Sequence, residues 1–175
     1  MKSQTIYLGA GCFWCTEAIF ASLRGVTSVL PGYMGGSVPH PTYEQVCKEN
    51  TGHVEVAKID FDPDTIKLEK ILEVFFVVHD PTSLNKQGAD EGTQYKSVIF
   101  FNDQSQQDVA LIMIGKLQQE GINVVTTVEP ATEFFEAEDY HKKYYESHKD
   151  AMYCQTVIEP KLVKLRQKFG DSFIA

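Results

Sequence analysis

No long apolar run occurs in this 175-residue sequence: its greasiest stretch, Ile71–Val78, is short and broken by Glu73. A membrane-crossing helix needs about 20 apolar residues, so a transmembrane helix is excluded. Positive charge is scarce too. Sixteen Lys and Arg against 24 Asp and Glu leave a formal charge of −8, which argues against binding nucleic acid through a broad basic surface. The opening, MKSQTIYLGAG, lacks the roughly 7–15-residue apolar segment and small-residue cleavage site of a secretory signal, so a cytoplasmic location is expected. Repeats, low-complexity tracts and a Pro/Gly/Ser-rich linker are missing as well. A single domain is expected over residues 1–175, with a core at about 5–130 and a C-terminal extension at about 131–175.

With 43% hydrophobic and 23% charged residues, the composition is that of an ordinary globular chain. Cysteine is sparse: Cys12, Cys15, Cys47 and Cys154. In a reducing compartment, clustered cysteines point to metal or redox chemistry rather than to structural disulfides.

Hydrophobic periodicity predicts a strand at Thr5–Ala10, a helix at Phe13–Leu23 and a strand at Val26–Leu30. Pro31–Pro41 reads as a Gly- and Pro-rich loop, Tyr43–Lys48 as a helical turn and His53–Phe61 as a strand. Alternation along that strand puts Glu55 on the face of Ala57, Ile59 and Phe61. A carboxylate there is either partnered or functional. Asp64 or Thr65 caps a helix carrying Leu68, Ile71, Leu72, Phe75 and Phe76, which stops near Asp80-Pro81. Thr82–Gln94 has no periodicity, and loops of that length are usually functional. A strand at Ser97–Phe101, a helix at Asp108–Glu120 and a strand at Ile122–Val128 follow. Beyond Pro130 come a helix around Glu138–Tyr145, an irregular piece with Cys154 and a helix opened by Pro160. The order β-α-β-β-α-β over 5–101 is the split βαβ, ferredoxin-like arrangement. The expected fold is therefore α/β of the α+β kind: a two-layer sandwich with a mainly antiparallel sheet and a C-terminal extension.

The strongest chemical signal is Gly11-Cys12-Phe13-Trp14-Cys15-Thr16-Glu17. Cys12 falls where a strand gives way to a helix, and free N–H groups at a helix start favour a thiolate, so a lowered thiol pKa is expected. A zinc site needs four ligands, and Cys47 and His53 complete no known module with this pair. Spacing leaves two readings open. Cys12 and Cys15 form a thioredoxin-like dithiol or sensor, or Cys12 attacks substrate and another cysteine resolves it. Gly9-Ala10-Gly11 meets Trp14 where a dinucleotide fingerprint needs glycine, and Gly32-Tyr33-Met34-Gly35-Gly36 lacks the end of a phosphate loop. His141 reads as a partly exposed surface residue, and Cys47 as an inert small hydrophobe.

The run GCFWCTE, followed by GYMGG, PTYEQV, TGHVEV, HDPTSLNKQGADEGTQYKS and AEDYHKKYY, resembles the peptide methionine sulfoxide reductase A family. The likeness extends from about Tyr7 to Phe169, with the motifs in family order. It implies a two-layer α/β roll with a ferredoxin-like core. It also implies a thioredoxin-dependent enzyme that repairs the S epimer of methionine sulfoxide, free or in proteins.

By that resemblance, Cys12 is the nucleophile and Glu55 the acid. Tyr43 and Tyr95 are phenols that bond the sulfoxide oxygen, and Asp90 is a polar partner of the site. Phe13 and Trp14 are the aromatic walls around the methyl group. Cys154 occupies the C-terminal position where many members carry the resolving cysteine. Cys154 is therefore the expected resolving cysteine, and Cys15, which stands where other members have glycine, is the alternative. The resemblance implies no bound cofactor or metal; the expected partners are sulfoxide-containing proteins and thioredoxin, not nucleic acid or membrane, and the expected state is a monomer.

Overall fold

The computed structural model describes residues 3–174. β1 (Gln4–Ala10) leads into α1 (Phe13–Ala21) and β2 (Val26–Met34). After α2 (Tyr43–Cys47) come β3 (Val54–Phe61) and α3 (Leu68–Val78). A small ribbon of β4 (Lys86–Gln87) and β5 (Asp90–Glu91) precedes β6 (Ser97–Phe101), α4 (Gln104–Gln119) and β7 (Thr127–Pro130). β8 (Phe135–Glu136), α5 (Tyr144–Ser147) and α6 (Glu159–Phe169) follow.

Six strands form one sheet in the order β7-β6-β1-β3-β2-β8. Only the β6–β7 pair is parallel; the others are antiparallel. Within it, β6-β1-β3-β2 is the ferredoxin-like set that the element order implies. Period-2 alternation sends Ile6, Leu8 and Ala10 of β1 and Ala57, Ile59 and Phe61 of β3 into the layer of helices. There they meet Ile19 and Phe20 of α1, Ile71, Leu72 and Phe75 of α3, and Leu162 and Leu165 of α6. The opposite face carries a smaller cluster of Met34, Val54, Val56, Val98 and Phe100. No helix among the described residues is long and apolar enough to cross a membrane.

Several boundaries differ from the sequence expectation. β2 runs on through Pro31 and Gly32 to Met34 instead of stopping at Leu30. Proline is tolerated near a sheet edge, and only the two-residue β8 borders β2 on its outer side. α4 starts four residues early because Asp103 caps it, accepting from Gln106 N at 2.9 Å. The seventh strand forms at Thr127–Pro130, where it pairs in parallel with β6 after the α4 crossover. No helix spans Glu138–Tyr145. A turn at Asp139–His141 is followed by Lys143 in the left-handed region (φ 52°), which breaks the run before α5.

Candidate active site

The β1–α1 junction sets the site. Gly11 has φ 86°, and a Cβ there would lie 2.7 Å from Cβ of Gln87. Glycine is therefore required for both backbone and space. Cys12 occupies the N-cap position of α1. Gln87 is itself tied to the end of α3: its Nε2 donates to Asp80 O at 2.7 Å and its Oε1 accepts from Asp80 N at 2.9 Å. The aperiodic segment is thus folded back as the β4–β5 ribbon beside the cysteine, followed by the turn Thr93–Tyr95.

Glu55 lies on the helix-facing side of β3, as alternation requires, and is 1% exposed. Its Oε2 accepts the backbone N–H of Phe13 at 3.0 Å. Burial pushes its carboxyl up to about 8, against the opposing pull of that hydrogen bond. Near neutrality it is chiefly a neutral acid.

Cys12 contradicts the sequence expectation. Its thiol is held well above the ordinary value, first by burial and then by the Glu55 and Cys15 charges. Hydrogen bonds from Tyr153 and the Trp14 backbone pull the other way and lose. The helix start is present, but desolvation of the thiolate outweighs it.

The other residues named from the sequence gather round these two. Tyr95 is half-buried; burial raises its phenol pKa, and Glu55, Cys12 and Asp90 add to that. Tyr43 opens α2 behind a Thr42 capping box, and its phenol is also raised, by burial, a hydrogen bond with Cys47 and the Glu55 charge. Phe13 is buried against Tyr33, with ring centroids 5.8 Å apart. Trp14 is partly buried and stacks on Tyr144 at 3.7 Å and 5°. Asp90 accepts from the Tyr153 hydroxyl at 3.0 Å.

Tyr153 is the residue that sequence reasoning missed. Its hydroxyl also lies 3.5 Å from Sγ of Cys15, it pulls the Cys12 pKa down against burial, and its ring meets Trp14 edge-on at 5.8 Å. Only its position beside Cys154 hinted at this. Cys154 does not lie in irregular chain: it opens a wide helical turn, Cys154–Ile158, that runs straight into α6, and it is fully buried. Cys15 is within electrostatic reach of both Cys12 and Cys154. Cys47 is half-buried beside the Tyr43 phenol rather than in the core. His141 is not a surface residue either. It is 1% exposed and accepts the Trp14 indole N–H at Nδ1, 3.0 Å away.

A cavity of about 590 Å³ reaches Cys12 and Cys15 between Gln87, Asp90, Tyr153 and Lys161. Glu55 does not line it; its charge is felt at the Tyr95 and Tyr43 phenols. No group of three or more His, Cys, Asp or Glu among the described residues could hold a metal ion. The arrangement ties a neutral buried acid to the backbone of the residue after Cys12, with phenols and the Cys15 thiol in the same neighbourhood. That set is suited to attack on an electrophilic sulfur whose oxygen must be protonated.

Comparison with known proteins agrees in kind. Residues 4–173 match the family model described as peptide methionine sulfoxide reductase. The chain is 51% identical over 172 residues to the peptide methionine sulfoxide reductase MsrA of Psychrobacter cryohalolentis, covering 98% of this chain and 99% of that one. Among solved structures it resembles reduced Mxr1 of Saccharomyces cerevisiae, with 31% identity, a TM-score of 0.79, and coverage of 89% of this chain and 91% of that one. Mxr1 in complex with Trx2 is matched at 22% identity and a TM-score of 0.54, over 82% of this chain and 85% of that one, a likeness of fold.

Proposed function

The chain belongs to the peptide methionine sulfoxide reductase family, and from that premise we propose how its residues divide the reduction of methionine sulfoxide between them. The observation that carries the reading is Glu55: a buried carboxyl, neutral up to about pH 8, beside the start of the helix that bears Cys12.

Cys12 Sγ attacks the sulfoxide sulfur while Glu55 gives a proton to its oxygen. The proton lost by the thiol balances the one given by the acid. The S–O bond then breaks, the protonated oxygen passes as hydroxyl to Cys12 Sγ, and the S–S bond releases its electron pair to the departing methionine sulfur, leaving Cys12 as a sulfenic acid. Tyr43 and Tyr95 hydrogen-bond the oxygen as it gathers charge, and Asp90 orients the Tyr153 phenol, from which it accepts at 3.0 Å. Phe13 and Trp14 receive the methyl group, because aromatic faces contact methyl and sulfur well and offer no competing hydrogen bond. The S epimer is the substrate, in free methionine sulfoxide and in proteins.

Resolution passes from Cys12 to Cys15 and from there to Cys154. Cys15 condenses with the sulfenic acid, releasing water, and thiol–disulfide exchange hands the oxidation on to Cys154. The wide turn at Cys154–Ile158 supports this, since such turns are common at functional sites and open more easily than regular helix. A thioredoxin-type dithiol then reduces the disulfide; the Trx2 complex of yeast Mxr1 favours that donor. No bound cofactor takes part. The protein acts in the cytoplasm as a monomeric, single-domain enzyme.

Turnover of the S and R sulfoxides with dithiothreitol, then with thioredoxin, tests the assignment. A redox sensor using Cys12 and Cys15 would bind or oxidise without releasing methionine catalytically. Preference for the R epimer would refute the stereochemical part.

A further inference from the structure

The Tyr153 hydroxyl stands between two groups that face one cavity. It donates to Oδ2 of Asp90 at 3.0 Å, and its oxygen lies 3.5 Å from Sγ of Cys15. A phenol has one proton. With that proton given to Asp90, the oxygen meets Cys15 as an acceptor, so the thiol S–H points at it. The order is Cys15 S–H, Tyr153 O–H, Asp90 carboxyl: a thiol joined to a carboxyl by one phenol. The three come from α1, from the residue before the wide turn Cys154–Ile158, and from β5. Together with Cys12 they line the cavity of about 590 Å³.

Cys15 needs such a partner. It is 4% exposed, and burial holds its thiol above the ordinary value, against the pull of the Lys161 ammonium on the cavity wall. A buried thiol keeps its proton near neutrality, yet the thiolate is the form that attacks sulfur. The titratable groups that face Cys15 are Tyr153 and Cys154 at the wide turn, Lys161 of α6, Asp90 of β5 and Cys12 before α1. Only Asp90 is a carboxyl, and its contact with the thiol runs through Tyr153. Packing does not account for the hydroxyl, because phenylalanine would make the edge-on contact with Trp14 equally well.

We propose that Tyr153 is a catalytic residue of the resolving step, relaying the Cys15 proton to Asp90 as Cys15 attacks the sulfenic acid on Cys12. Sγ of Cys15 gives its proton to the phenol oxygen while the phenol gives its own to Asp90. The freed electron pair forms the S–S bond to Cys12, and the S–O bond of the sulfenic acid breaks with its pair going to oxygen. The leaving hydroxide takes a proton from the phenol, which recovers its own from Asp90, and departs as water. One thiol and one sulfenic acid thus give one disulfide and one water, with both relay groups restored. Asp90 acts through Tyr153: it positions the phenol and holds the proton between the two transfers. The proposal rests on the reading that Cys15, rather than Cys154, condenses first.

The test uses the full chain in a Cys154→Ser background, where oxidation stops at the first disulfide. One equivalent of methionine S-sulfoxide is added, and quenched samples are scored for released methionine, dimedone-labelled Cys12 and the Cys12–Cys15 bond. Tyr153→Phe removes the relay; Asp90→Asn keeps an acceptor for the phenol but takes up no proton. Both should slow disulfide formation about 10²-fold, well beyond their effect on methionine release, so that sulfenic acid accumulates. With the base held inside the protein, the parent rate should vary by less than about threefold between pH 6 and 7.5. In Asp90→Asn it should climb about tenfold per pH unit, as hydroxide supplies the thiolate instead. A purely structural role would lower the rate without that slope. Disulfide formation that keeps pace with methionine release in both variants, or a flat profile in Asp90→Asn, overturns the relay. Cys15→Ser with Cys154 intact separates the two levels of the argument. If it forms a Cys12–Cys154 bond at the wild-type rate, the order of resolution has failed and takes the relay with it. If it forms disulfide slowly while Tyr153→Phe and Asp90→Asn are without effect, the relay alone has failed.

Discussion

The backbone N–H of Phe13 donates to Oε2 of Glu55 at 3.0 Å, joining the first residue of α1 to an acid 42 residues later in the chain. One helix-start N–H is thereby given to the carboxyl. The donor favours the ionised form, and burial opposes it more strongly, leaving the acid near 8. The same bond keeps Glu55 close to Cys12 through the backbone of the very next residue.

Loss of the acid should be felt in the chemical step. Glu55→Gln keeps the shape and the acceptor for Phe13 but has no acidic proton, so single-turnover reduction should slow by about 10²–10⁴-fold. In the wild type the rate should fall as pH rises through about 8, where Glu55 ionises. A variant within fivefold of wild type would remove Glu55 from the mechanism.

Stability should follow the same group. A folded-state pKa near 8 lies above the ordinary carboxylate value of 4.5, so the neutral buried acid contributes its full stability below about 4.5. That contribution fades as pH rises through 8. Glu55→Gln should therefore gain in melting temperature relative to wild type at pH 8, with the gain shrinking toward pH 4.5. A difference independent of pH would contradict the shift.

In the resting enzyme Cys12 should be a sluggish thiol. Its alkylation by iodoacetamide, followed by mass mapping against pH, should show a midpoint above the ordinary 9.0, because burial and the Glu55 charge both oppose the thiolate. Glu55→Gln removes that charge and should move the midpoint down. Cys12→Ser should give no methionine even in a single turnover. A midpoint below 9.0 would mean that the helix start wins after all.

Tyr153→Phe should raise the Cys12 midpoint further, since its phenol is a hydrogen bond that favours the thiolate. One such bond is worth about 1–1.5 kcal/mol, so single-turnover reduction should drop about five- to tenfold. An unchanged rate and midpoint would reduce Tyr153 to packing.

The order of the disulfides can be read directly. One equivalent of sulfoxide, quenched early, should give a Cys12–Cys15 bond that yields to a Cys154-containing bond with time; Cys154→Ser should stop at the first. Cys15→Ser should slow formation of any disulfide. A direct Cys12–Cys154 bond at the wild-type rate in Cys15→Ser would overturn the relay.

Legibility followed range. The face of Glu55 was readable because strand alternation is a local property: Ala57, Ile59 and Phe61 fix which side is inward, two residues at a time. Cys12 was readable for the same reason, as the residue between a strand pattern and a helix pattern. The end of β2 was not, because Pro31 and Gly32 signal a loop unless a neighbouring strand accepts them. The broken segment at 138–147 was hidden likewise, since Lys143 in the left-handed region carries no sequence mark.

By itself the sequence determined the β-α-β-β-α-β order of the core, the side of the sheet on which the acid lies and the thiol that begins a helix. These depend on hydrophobic period and turn chemistry, which act between near neighbours. Tertiary structure alone decided that Tyr153 reaches Asp90 and Cys15, that His141 is buried under Trp14, and that Cys154 lies inside a helix. It also reversed the expected shift of Cys12. Desolvation is set by what the rest of the chain packs around a group, and contacts across 63 or 127 residues leave no trace in local spacing.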